Sequence, residues 1–113
     1  AMEVTENFLA AYPDLDVIFC ANDNMAIGAG QAVAAAGLRN QIKIIGFDGQ
    51  PDAAQAIING EIDATIAQKP ATMGRMVMEA IESYLAGETV EKEVDTGCDV
   101  VTSENAETYL EWQ

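Results

Sequence analysis

The chain has 113 residues, half of them hydrophobic, with 19 acidic and 5 basic side chains, a net charge of -14 and no histidine. That length supports one domain, and no apolar run is long enough to cross a bilayer. The acidity argues against nucleic acid and anionic membranes, and the missing imidazole removes His-based triads and most catalytic zinc arrangements.

Taken in chain order, the sequence opens in a helical pattern, with Val4, Phe8, Ala11 and Tyr12 on one face and Pro13 as its stop. Val17 to Ala21 then reads as an apolar strand ending in Asn22-Asp23. Asp23 is expected to cap the next helix, which is rich in small residues and stops at Gly37. Met25, Ile27 and Val33 read as packing residues of that helix. A short loop leads to Lys43-Ile44-Ile45-Gly46-Phe47-Asp48-Gly49, a buried strand that ends abruptly at an aspartate. Pro51 suits the first turn of a helix with Ala53, Ala54, Ile57 and Ile58 as its buried stripe, and Asn59-Gly60 ends it.

A third strand, Ala64 to Ala67, runs into Gln68 and Pro70. A helix follows from Ala71 to Ala86, with Met73, Val77, Ala80, Ile81 and Tyr84 on one face. The acidic tail carries Cys98-Asp99-Val100-Val101 and a short helix from Ser103 to Trp112, with Thr102 or Ser103 as cap. Cys20, inside a strand, reads as a buried free thiol and not a nucleophile. Nothing in the spacing supports a disulfide between Cys20 and Cys98.

Short apolar runs alternating with helical patterns predict an α/β fold, a largely parallel sheet with flanking helices. Crossovers of one hand bring the carboxyl ends of the strands to one rim, where open α/β sheets bind their ligands. Asn22, Asp48 and Gln68 stand at the three tips. Two amides and a carboxylate form a set of donors and acceptors suited to a neutral polyhydroxylated ligand. No catalytic residue, metal or cofactor is expected, and no phosphate-binding glycine loop occurs. A hydrolase would need a base and a nucleophile at this rim, and none of the three tips carries a hydroxyl side chain.

Three segments carry a family resemblance. Ala21-Asn22-Asp23-Asn24-Met25-Ala26-Ile27-Gly28-Ala29, Ile45-Gly46-Phe47-Asp48-Gly49-Gln50-Pro51-Asp52 and Ala64-Thr65-Ile66-Ala67-Gln68 resemble the type I periplasmic sugar-binding proteins, most of all the ribose-binding group. The resemblance implies two α/β lobes joined by three hinge crossings, closing on a monosaccharide such as ribose or allose. The sugar would be delivered to an ABC transporter permease from a periplasmic or extracytoplasmic location. By position, Asn22, Asp48 and Gln68 match ligand contacts and Phe47 matches a wall of the pocket.

The resemblance covers the C-terminal part of such a protein. Residues 1–68 would belong to the C-terminal lobe, 69–94 would pack on the other lobe, and 95–113 would return through a hinge. The helical opening, with no cap or strand before it, leads to the same expectation that an N-terminal part is absent. An unpaired strand edge and an uncovered helix stripe would then favour a homodimer of this chain. Effector or sensor domains of sugar-responsive regulators share the implied fold, but they usually carry a second acidic residue where Gly49 stands.

Overall fold

The computed structural model describes residues 1–111. Its elements are α1 (Met2–Ala11), β1 (Val17–Phe19), α2 (Asp23–Ala35), β2 (Lys43–Asp48), α3 (Pro51–Ile58), β3 (Ala64–Ala67), α4 (Pro70–Leu85) and β4 (Asp99–Val101), then a 3-10 turn, Ala106–Tyr109. The strands lie side by side in the order β1-β2-β3-β4. The first two pairings are parallel and the last is antiparallel. The expected α/β fold with a largely parallel sheet is thus the observed one.

Each parallel crossover steps the same way along the sheet, so its preferred hand places α2 and α3 on the same face. There the two helices pack on the sheet and on each other. Ile18, Ile44 and Val101 meet Ala29 and Val33 of α2 and Ala54 of α3 in the core between them. At the far end of the strands, Asp63 accepts from Arg39 (2.8 Å), Lys43 (3.0 Å) and the Ile44 N–H (2.9 Å). Burial would push this carboxyl up, but the Ile44 N–H, Lys43 and Arg39 outweigh it and hold Asp63 below the usual carboxylate range.

Several local expectations change. Asn22, not Asp23, caps α2, its Oδ1 accepting from the Met25 N–H at 2.9 Å. On α3 the buried row includes Ala56, while Ile58 is exposed. Met25 is exposed, whereas Val33 is buried as expected. On α1 the expected apolar row is not a core face: Val4, Phe8 and Tyr12 are exposed and Thr5 is buried. The helix lies against α2, which leaves that row beside β1. Val4, Phe8, Ile18, Phe19 and Met25 there help to line a groove of about 250 Å³.

The expected tail helix is only one 3-10 turn, organised by Asn105, whose Oδ1 accepts from the Thr102 N–H and whose Nδ2 donates to Val100 O. Trp112, the expected end of that helix, lies outside the described residues. Cys20 is a buried free thiol, and Cys98 is an exposed one.

Among the described residues, nothing comparable covers the other face of the sheet. Strand register puts Val17, Phe19, Ile45, Phe47, Ile66 and Val100 on it together. Phe19 is 62% exposed and Val100 60%. Helix α4 is more exposed still, because none of its 16 residues is buried and Tyr84 and Leu85 are over 70% exposed. The Cα radius of gyration is accordingly 17.8 Å, against about 13 Å for a compact domain of this size.

Candidate functional site

The rim beyond the carboxyl ends of β1, β2 and β3 carries Asn22, three residues past β1, which ends at Phe19 and not at Ala21 as expected, then Asp48, the last residue of β2, and Gln68, the residue just past β3. The structure joins two of them directly. Gln68 Nε2 donates to Asp48 Oδ1 at 2.7 Å, and the Gln68 N–H donates to Asp48 O at 3.1 Å. Among the described residues, Asp48 is the one non-glycine with a positive φ, 119°. Such a conformation costs about 1–3 kcal/mol and persists only where its surroundings hold it. The two bonds from Gln68 hold it here, at both the main chain and the carboxylate.

Gly49 completes the turn. Its φ is 77°, and a Cβ there would overlap Ala67 Cβ and lie 2.5 Å from Ala67 Cα. The tip of β2 therefore closes against β3 only because this residue has no side chain.

Asn22 is half-buried. Its carbonyl oxygen is used in the cap, and its amide NH2 has no hydrogen-bond partner among the described residues. Asp48 keeps its second oxygen, and Gln68 keeps its carbonyl oxygen. Donors and acceptors thus remain available along one edge. Phe47 is half-buried on the uncovered sheet face, one residue short of the tip. No group of three or more His, Cys, Asp or Glu side chains that could hold a metal occurs among the described residues.

The residue that sequence reasoning misjudged is Asp23. It is fully buried under the rim and accepts from the Thr65 hydroxyl and from the Gln50 N–H at 2.7 Å. Gly46 makes the room, since a Cβ there would overlap Asp23 Oδ1 and lie 3.1 Å from Ala26 Cβ. Burial pushes the Asp23 carboxyl up. The Thr65 hydroxyl and the Gln50 and Gly49 backbone draw it back in part, and the Asp48 charge adds to the rise. A raised folded value means that the stability it contributes is full below the unfolded carboxylate pKa. That contribution is lost as pH rises through the folded value.

Asn22, Asp48 and Gln68 are each half-buried, so the rim is open to solvent. A larger concavity, about 310 Å³, lies at the other end of the strands beside Arg39 and Lys43. Both of those cations are already engaged by Asp63, so that concavity offers little to a ligand.

The Asp48–Gln68 pair lies at the carboxyl ends of parallel strands, where open α/β sheets bind their ligands. Residues 1–89 match the periplasmic binding protein domain, and the chain belongs to that family, in its type I group. It is 40% identical over 90 residues to the ribose import binding protein of Escherichia coli, which covers 80% of this chain and 30% of that protein. It is 43% identical over 74 residues to the D-allose-binding periplasmic protein of the same organism, 66% of this chain and 24% of the relative. A solved ABC transporter periplasmic solute binding protein from Actinobacillus succinogenes with bound D-allose superposes with a TM-score of 0.86 at 34% identity. That match covers 96% of this chain and 38% of the other. The chain therefore spans about a third of the length of these relatives. No helix among the described residues is long and apolar enough to cross a membrane.

Proposed function

We propose that this chain is the C-terminal portion of a solute-binding component of an ABC-type importer, binding a monosaccharide such as ribose or allose reversibly and without chemistry. The observation that carries the reading is the Asp48–Gln68 pair, fixed at the tips of adjacent parallel strands with oxygens left over. Sugar hydroxyls would donate to Asp48 and exchange donor and acceptor roles with Asn22 and Gln68, while Phe47 would flank them as a wall. Hydrogen bonds to a charged acceptor contribute about 1.5–3 kcal/mol each. The relatives named for ribose and allose support the same ligand class. In the whole protein, residues 69–94 would lie on an opposing lobe and 95–113 would return from it. The complex would serve an importer's permease from the periplasmic or extracytoplasmic side.

An open rim exposes half of any sugar to water, and useful affinity needs most of the ligand surface buried. Titration of the 113-residue chain with ribose, allose and galactose is therefore expected to show no saturation at micromolar concentrations. Saturation there would place the binding elsewhere than on this rim.

The uncovered surfaces also lead us to expect a homodimer of this chain. Among the described residues β1 has a strand neighbour on one side only, and its free edge can template pairing with another strand. The bare sheet face and the Val77, Ile81 and Tyr84 row of α4 add apolar area that a two-fold partner would cover. The charge of -14 opposes contact, but salt screens it within roughly 8 Å. Sedimentation at micromolar concentration is expected to give a dimer, and a clean monomer with a cooperative melt would contradict it.

A further inference from the structure

We propose that Asp23 is a positioning residue, tying the start of α2 to the turn after β2 and to β3 beneath the rim so that Asn22, Asp48 and Gln68 face one ligand. This rests on the reading of those three as the contacts. Its chain neighbour Asn22 caps α2, three residues past the end of β1. Its Oδ2 accepts from the Gln50 N–H in the turn that follows Asp48. Its Oδ1 accepts from the hydroxyl of Thr65, three residues before Gln68 on β3.

One carboxylate thus links segments 27 and 42 residues away from it. Two further features show that the arrangement is specific. Gly46 leaves the space that the carboxylate fills, and no buried side-chain nitrogen or oxygen among the described residues lacks a partner. A group buried only to cap α2 would need neither Thr65 nor Gln50, and Asn22 already supplies the cap.

The consequence reaches the ligand groups through Asp48. The Gln50 N–H belongs to the residue two beyond Asp48, so the tie pins the turn that holds Asp48 at positive φ. Asp48 in turn is the acceptor for Gln68 Nε2. Loosening Asp23 frees this turn, and the carboxylate-amide pair separates.

The test uses the 113-residue chain, labelled with nitrogen-15, and needs no sugar. In the parent chain the two Nε2 protons of Gln68 should be well separated, and the Gln50 amide should exchange slowly. In Asp23→Asn and Thr65→Val the Gln68 pair should collapse toward the positions of a free glutamine side chain. Gln50 exchange should quicken by about tenfold or more, the loss of one charge-assisted bond. Thr65→Ser restores the hydroxyl and should restore both signatures.

Should Asp23→Asn fail to fold, Thr65→Val decides, because it keeps the shape of Thr65 and removes only the hydroxyl. Folded Thr65→Val with both signatures unchanged would overturn the proposal. So would loss of its helical circular dichroism, since the tie would then hold the fold and not the rim. These signals do not depend on sugar, so a failure of the sugar reading leaves them intact and is recognised separately.

Discussion

Replacing Asp48 with Ala, in a protein where this chain faces an opposing lobe, is expected to weaken monosaccharide binding by about tenfold to a hundredfold or more. The substitution removes a charged acceptor with a free oxygen, and such bonds contribute about 1.5–3 kcal/mol each. It also removes the partner of Gln68 Nε2, so a second contact loses its orientation. The fold should survive, because Asp48 is only half-buried and holds no core group in place. Alanine still has to adopt the φ of 119°, which keeps that strain in the variant. Calorimetry that finds the same affinity for the variant and its parent would remove Asp48 from the site.

The other large effect is expected at Gly49, and it falls on stability. Gly49→Ala places a Cβ on a residue with φ of 77°, into overlap with Ala67 Cβ and 2.5 Å from Ala67 Cα. The backbone conformation alone costs about 1–3 kcal/mol for a residue with a side chain. Overpacking against a buried neighbour adds a further 1–3 kcal/mol or so. Ala67 sits on β3 and is 2% exposed, so it has little space to retreat. A loss of about 3 kcal/mol or more in a urea melt is expected. The Gly37→Ala variant serves as a comparison, since it shares a positive φ but has nothing within 4 Å of its Cβ. It should lose clearly less, and equal losses would mean that strain alone, without the clash, accounts for the effect.

Much of this arrangement was legible in the residues, and the parts that were not share a cause. Apolar runs that break off at Asp48 and Gln68 mark strand ends because a buried parallel strand has no polar residue until it emerges, whereas the run before Asn22 outlasts β1, which ends at Phe19. That is why the tips, and the parallel sheet that aligns them, could be read in advance. The same continuity hid the faces. Ile44 and Ile45 look alike in sequence, yet one is fully buried under α2 and its neighbour turns to the uncovered side. Alternation in the chain does not say which face a helix covers. That depended on both crossovers stepping the same way along the sheet.

The exchange between Asn22 and Asp23 has a related origin. Either side chain can cap a helix, so adjacent candidates cannot be ranked locally. What ranks them is Thr65, 42 residues on, and the missing side chain of Gly46. Both are tertiary facts. On α1 the helical period identified the apolar row correctly, but a period shows that a row exists and not what lies opposite it. Val4, Phe8 and Tyr12 border the open edge of β1, where no element among the described residues covers them.

The most direct measurement is residue-resolved. A nitrogen-15 and carbon-13 labelled sample of the chain is titrated with ribose and with allose into the millimolar range, following side-chain amide and carboxyl resonances. The account predicts that shifts appear at the Asn22 and Gln68 amides and the Asp48 carboxyl. The concavity beside Arg39 and Asp63, at the other end of the strands, should stay unperturbed. Shifts that gather at Arg39, Lys43 and Asp63, with the three rim residues silent, would contradict it.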